Sequence, residues 1–224
     1  MEDEKYWLTK PAIRLAVYFE LPSIDPATLD PVLITSRYGK VIEGIFYGIC
    51  YYSLPDHLTW LNMVLKASFI RPEYHQLYYI GIMVINHNDI YPHIDSFSKM
   101  SMNFYVETLD CTTTFYDEPP GCDASMGQLE GQREGKIYHR HKLEINTQIK
   151  AQPNEVWLLN TRRIHSVECE KMEAKKFRVA YTLQGNVSYE DSIRTLLPSI
   201  LRQHSSPWCS SVNPFDSDRN SRTC

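Results

Sequence analysis

The chain has 224 residues, 43% of them apolar and 12% aromatic, which is enough to bury one sizeable core. Its net charge of −4 and pI near 6.1 exclude the broad basic field that draws a protein onto nucleic acid. No apolar run reaches the roughly 18 residues of a membrane span, and the opening MEDEKYWLTK is acidic where a secretory leader is basic and then apolar. A soluble cytoplasmic protein with no membrane partner is expected.

Residues 1–31 mix charge with short apolar pieces, and the prolines of LPSIDPATLDP break any long helix, so they read as a leading segment that packs on the core. VLITSRYGKVIEGIFYGICYY, from residue 32, has the Ile, Val, Tyr and Phe content of one or two strands. At 55–67 the spacing of Leu58, Leu61, Met63 and Leu65 predicts a helix of about three turns with Asp56 as its cap. Strands are predicted at 76–85, 99–108 and 111–118, short and closely spaced as in barrels and jelly rolls. Residues 119–135 read as a Gly- and Pro-bearing loop, and 137–150 as a strand pair or one bent strand. Strands at 155–160 and 176–185 follow, then a second helix near 188–203 and a Ser- and Asn-rich tail, 204–224, expected to be mobile. The six cysteines (50, 111, 122, 169, 209, 224) contain no C-x-x-C pair and read as free thiols.

The pattern His-x-Asp occurs twice in INHNDIYPHID, residues 85–95. On a strand, positions i and i+2 share a face, so this triplet can aim an imidazole and a carboxylate at one ion. His87 and Asp89 lie among asparagines, which predicts a hairpin turn. His93 and Asp95 follow Tyr91-Pro92, and a residue before proline is driven toward extended backbone, so the second copy has the strand geometry. His165, after VWLLNTRRI, would complete a set of two imidazoles and one carboxylate, the facial triad of non-haem Fe(II) with coordination positions left open. A closed structural zinc site would hold four ligands, and Cys169 is the one nearby thiol that could serve as the fourth.

HID in PHIDSFSKMSMNFYVE, then EVWLLNTRRIHSVE, then KFRVAYTL, resembles the Fe(II)- and 2-oxoglutarate-dependent dioxygenases over roughly residues 76–186, in the style of their small single-domain hydroxylase-like members, including those of phage genomes. The resemblance implies a mostly β (α+β) fold, a double-stranded β-helix of jelly-roll or cupin type with flanking helices, occupying 32–203. It implies Fe(II) held by His93, Asp95 and His165, and Arg178 paired with the distal carboxylate of 2-oxoglutarate. A planar guanidinium can donate two parallel hydrogen bonds there, which a lysine cannot. Many members carry a hydroxyl residue two positions after this arginine, whereas here the position is Ala180. Thr182, or a tyrosine on a neighbouring strand, would have to supply that hydroxyl. Asn103 shares a strand face with Ser101 and Tyr105, and is a candidate either for 2-oxoglutarate binding or for a structural hydrogen bond.

Two further groups have surface readings. His139-Arg140-His141 reads as a solvated face, because its cations oppose a nearby dication. Arg162 and Arg163 are expected near the barrel mouth, where they face water or attract an anionic substrate. Trp60 and Trp157 lie in apolar runs and read as core.

The implied activity is oxidation, as hydroxylation of a C–H bond, with Fe(II), 2-oxoglutarate and O2 consumed to give succinate and CO2. A protein or peptide side chain ranks first as substrate, a small molecule second and a nucleobase third. Two other classes remain open: a cupin-like metal-dependent hydrolase or isomerase, and a non-catalytic binding barrel.

Overall fold

In SMNFYV the odd positions are polar or aromatic and the even ones apolar, and a strand sends these two sets to opposite faces. The computed structural model, which describes residues 9–15, 20–42, 45–86, 89–95, 98–128, 136–169, 177–185 and 187–202, builds its larger sheet on that division. The strands are β1 (Ala12–Arg14), β2 (Ile34–Ile42), β3 (Ile45–Ser53), β4 (Tyr78–Asn86), β5 (Asp89–Ile94), β6 (Met100–Glu107) and β7 (Thr112–Asp117), followed by β8 (Ser125–Gln128), β9 (Lys136–Tyr138), β10 (Glu144–Ile149), β11 (Val156–Leu159), β12 (Ile164–Glu168) and β13 (Arg178–Gly185).

They form two antiparallel sheets, one in the order β1-β11-β6-β13-β4-β3-β2 and the other β10-β7-β12-β5-β9-β8. From β4 to β7 the chain crosses between the sheets at every step, and from β10 to β13 it does so again. The two passes interleave, since β13 lies between β4 and β6 while β12 lies between β5 and β7. The protein is therefore mostly β.

The main apolar core lies on the outer face of the larger sheet. Met102 and Phe104 of β6 and Tyr181 and Leu183 of β13 pack there against helix α1 (Thr59–Phe69) through Leu61, Leu65 and Phe69. Helices α2 (Tyr189–Thr195) and α3 (Pro198–Arg202) add Tyr189, Ile193 and Ile200. Between the sheets a smaller cluster holds Met83, Tyr105, Val167 and Ala180, with Cys111 and Cys169. The polar face of β6 points into this inter-sheet space.

Several expectations are corrected. The hairpin expected at His87 lies outside the described residues, and β4 and β5 on either side do not pair with each other but belong to different sheets. Helix α1 starts at Thr59 after a single turn of 3-10 helix, Asp56–Leu58, and Asp56 makes no cap bond: its carbonyl oxygen instead accepts from Thr59 Oγ1 at 2.8 Å. The C-terminal helix is two short ones, because Leu196 is extended and bridges Ile70, and Pro198 restricts the residue before it. The loop at 119–135 contains β8, which forms a hairpin with β9, although residues 129–135 are outside the described set. Residues 137–150 separate into β9 and β10 on different parts of one sheet. Trp60 is 47% exposed, because α1 buries only the opposite stripe, whereas Trp157 packs partly buried against the core as expected, with its indole N–H donated to Glu155.

The cysteines also depart from the free-thiol reading. Antiparallel pairing of β7 with β12 sets Thr112 opposite Glu168, so the next residues outward, Cys111 and Cys169, stand 4.1 Å apart at Cα and form a disulfide. Linear spacing gave no sign of a partner 58 residues away. A disulfide is at home in an oxidising compartment, so the cytoplasmic expectation loses the support it took from reduced cysteines. Cys50 and Cys122 are free thiols. Among the described residues no helix is long and apolar enough to cross a membrane. The tail at 204–224 and most of the leading segment's first residues lie outside the described set.

Candidate metal centre

The end of β5 and the start of β12 are register-paired, His93 with His165, and this brings two imidazoles side by side with ring centroids 4.4 Å apart. Asp95 follows β5 directly, and its Oδ1 lies 3.2 Å from His93 Nε2 and 3.8 Å from His165 Nε2. One donor atom from each of the three residues falls within 4.8 Å of the others, and among the described residues no other trio of His, Cys, Asp or Glu converges in this way. Ligand bonds of about 2.1 Å set neighbouring donors on an octahedral ion about 3 Å apart, so the trio is near the spacing an ion requires.

The ring nitrogens are assigned by their second partners. His93 Nδ1 is 2.8 Å from the Tyr91 carbonyl oxygen, and His165 Nδ1 is 2.9 Å from that of Arg163. A carbonyl only accepts, so both Nδ1 atoms carry the proton and both Nε2 atoms face Asp95, the tautomer a metal ligand needs. Burial, helped by the neighbouring His93, lowers His165 to about 4 and keeps it neutral. Burial also opposes charge on His93, but the hydrogen bond and charge of Asp95 outweigh it and raise its pKa. Burial alone would push the Asp95 carboxyl up; the His93 hydrogen bond and the charges of His165, His93 and Arg162 hold it below its usual value. The result is one carboxylate and two oriented imidazoles, walled by Phe115, whose ring centroid is 5.7 Å from that of His165.

Deeper between the sheets, Arg178 opens β13 and is only 1% exposed. Its Nη2 donates to Thr113 Oγ1 at 3.1 Å, and its guanidinium carbon lies 4.8 Å above the Tyr105 ring. Its Nε and Nη1 have no hydrogen-bond partner among the described residues. A buried guanidinium with two unpartnered nitrogens is costly unless an acceptor meets it, and a carboxylate oxygen accepts the charge-assisted bond such a cation donates.

The remaining candidates settle around this group. Ser101 Oγ donates to Asn103 Oδ1 at 2.6 Å, and Asn103 Nδ2 donates to the Tyr105 hydroxyl at 3.3 Å, so Asn103 braces the tyrosine beside Arg178. Tyr105 is register-paired with Ala180, filling the position opposite the small residue. Thr182 is buried and pairs with Asn103, but stands four residues from Arg178, about 13 Å along a strand. The hydroxyl next to Arg178 is that of Thr113, on the other sheet. Tyr105 shares the strand face already marked by Asn103. In CTTTFY no sequence signal distinguishes the threonine that points inward.

Three readings of nearby groups change. Asp89, in the first His-x-Asp copy, is forked by Arg140 at 2.5 and 3.3 Å, with Glu168 3.4 Å from the same arginine, so the cation on this partly exposed face is ion-paired as well as solvated. Arg162 Nη1 donates to the Asp95 carbonyl at 3.2 Å, and Arg163 pairs with Asp117 at 3.4 Å, so neither arginine simply faces water. Cys169 is joined to Cys111 and is not a fourth ligand.

No protein-family model matches the sequence, and no curated protein matches it. Similar solved structures include the X-ray structure of E. coli ycfD, at 9% identity and a TM-score of 0.46, covering 82% of this chain and 51% of that one. They also include the non-haem α-ketoglutarate-dependent epimerase SnoN from nogalamycin biosynthesis, at 13% identity and a TM-score of 0.37, covering 66% and 65%. A third is Cellulomonas parahominis L-ribose isomerase with L-psicose, at 12% identity and a TM-score of 0.30, covering 62% and 61%. The chain spans about half the length of the ycfD chain and just under two thirds of the other two.

Proposed function

We propose that this protein is an Fe(II)- and 2-oxoglutarate-dependent oxygenase that hydroxylates a C–H bond, built on a double-stranded β-helix. The interleaving of β4–β7 with β10–β13, four strands of each pass shared between two facing sheets, supports the architecture. The observation that carries the function is Arg178, buried between the same sheets as the His93, Asp95 and His165 trio and holding two unpartnered N–H groups.

The donor set fits iron: two imidazoles and one carboxylate leave coordination positions open, as non-haem Fe(II) requires. The buried Arg178, with unpartnered nitrogens among the described residues, suits a dicarboxylate as the second ligand. His93, Asp95 and His165 would hold the metal, and Arg178, backed by Thr113 and Tyr105, would bind the far carboxylate of 2-oxoglutarate. The two groups would together supply the oxidising chemistry, in which the keto acid and O2 yield succinate, CO2 and one hydroxyl on the substrate. The chain's own part is to orient and to exclude water. The Tyr91 and Arg163 carbonyls fix the imidazole tautomers, Asn103 sets the tyrosine under the guanidinium, and the two sheets keep the inner residues dry. A protein or peptide side chain is the first substrate class to test, then a small molecule, then a nucleobase.

The experiment is an anaerobic purification followed by addition of Fe(II), with bound iron and conversion of 2-oxoglutarate to succinate measured with each substrate class. Iron binding and turnover in the native chain, both lost in Asp95→Ala, are expected. A native chain that binds no iron, or an Asp95→Ala variant with unchanged iron content and turnover, would rule the reading out.

A further inference from the structure

The two halves of the candidate metal centre belong to separate stretches of chain, and the β-ladder does not join them at the carboxylate. His93 is paired with His165 within the sheet, but β5 ends at Ile94, so Asp95 lies just outside the ladder. A second set of bonds holds it. The Asp95 backbone N–H donates to the Thr161 carbonyl oxygen at 3.1 Å, and Thr161 Oγ1 donates to the Ser98 carbonyl oxygen at 2.8 Å. Thr161 is 3% exposed and lies in the turn between β11 and β12, four residues before His165. The neighbouring Arg162 completes the hold through its bond to the Asp95 carbonyl. Ser98 is itself buried and bonded to the Met100 carbonyl, so the group that Thr161 Oγ1 meets is anchored to β6.

We propose that Thr161 is a positioning residue for the metal centre, its carbonyl accepting from Asp95 and its hydroxyl donating to Ser98, so that the carboxylate is held against His165. This rests on the metal-centre reading above. The two functions of Thr161 are separable. Its carbonyl bond to Asp95 is main-chain and survives any side-chain change, whereas the grip on Ser98 depends on the hydroxyl alone. Valine has nearly the shape of threonine and no hydroxyl, so Thr161→Val leaves the packing and removes the grip. The stretch that carries the carboxylate then loses one of the three bonds named above, and partners that orient ligands in this way typically carry 10- to 100-fold in metal affinity.

The test is a Co(II) titration of the full chain and of its Thr161→Val, Thr161→Ala and Thr161→Ser variants, read by visible absorbance and chelator competition, beside the thermal midpoint of each metal-free protein. Thr161→Val is expected to bind Co(II) about tenfold more weakly, with an altered visible spectrum, while Thr161→Ser keeps the native affinity and spectrum. Should the valine variant fail to fold, Thr161→Ala carries the same comparison. Native affinity and spectrum in both hydroxyl-free variants would overturn the proposal, even with lowered thermal midpoints, and so would a serine variant as weak as valine. A native chain that binds no Co(II) overturns the metal-centre reading and this inference together; a native chain that binds while the variants match it overturns this inference alone.

Discussion

Thr113 Oγ1, on β7 of the smaller sheet, accepts a hydrogen bond from Arg178 Nη2, on β13 of the larger one, at 3.1 Å across the inter-sheet space. The bond fixes the plane of the guanidinium and leaves Nε and Nη1 without a partner among the described residues, so a buried acceptor has donors to meet. Thr113→Val removes that hold while conserving volume. Its 2-oxoglutarate affinity is expected to fall about tenfold, the loss of one bond to a charged group worth about 1.5 kcal/mol, while metal affinity stays native. Calorimetric titration of the metal-loaded protein without O2 separates the two quantities.

Cys111 and Cys169 tie the end of β12 to the start of β7, closing a 58-residue separation. In the loop-closure picture a cross-link of that span stabilises the fold by about 4 kcal/mol. Cys111→Ala combined with Cys169→Ala is expected to lower the denaturant midpoint accordingly, and reductant should lower the native chain's midpoint toward that of the double variant. Equal midpoints for all three samples would show that the bridge contributes nothing.

What the sequence revealed and what it concealed divide along a physical line. The convergence of His93, Asp95 and His165 was legible because two of them stand two residues apart at a strand, and the third follows a strand with a clear apolar pattern. The inner face of β6 was legible for the same reason, since Ser101, Asn103 and Tyr105 alternate with Met102 and Phe104. The missed features depend on pairing between distant strands. Thr113 becomes the partner of Arg178 only when the sheets face each other, Cys111 meets Cys169 only through the β7–β12 register, and Arg140 reaches Asp89 only because β9 lies beside β5. Trp60 misled for a local reason: its run is apolar, but one helix face covers the sheet and the tryptophan is on another.

That geometry predicts opposite outcomes at two neighbouring positions of α1. Leu65 is fully buried against the larger sheet, so Leu65→Ala should cost about 2–5 kcal/mol through lost burial and the cavity left behind. Trp60 is about half exposed and lies outside that core, so Trp60→Ala should change stability by less than about 1 kcal/mol. Urea denaturation of both variants decides the matter, and a larger loss at Trp60 than at Leu65 would mean that the helix is rotated about its axis.

Arg178 gives the most discriminating prediction, because its effects on stability and on binding have opposite signs. In the ligand-free protein a buried cation with two unpartnered N–H groups is a cost, only partly offset by the Thr113 bond and the Tyr105 ring. Arg178→Met removes the charge and keeps an unbranched apolar chain of similar reach, so the ligand-free thermal midpoint should rise, consistent with roughly 1–3 kcal/mol recovered from the unsatisfied groups. The native protein, loaded with Mn(II) and given 2-oxoglutarate at a hundred times its dissociation constant, should gain about 2.7 kcal/mol from mass action. The variant should gain almost nothing at the same concentration, because a thioether offers the carboxylate no donor. Thermal unfolding of both proteins with and without 2-oxoglutarate gives the four midpoints required. A variant that starts lower and still responds fully to 2-oxoglutarate would show that Arg178 is a structural cation and that the dicarboxylate, if bound at all, is held elsewhere.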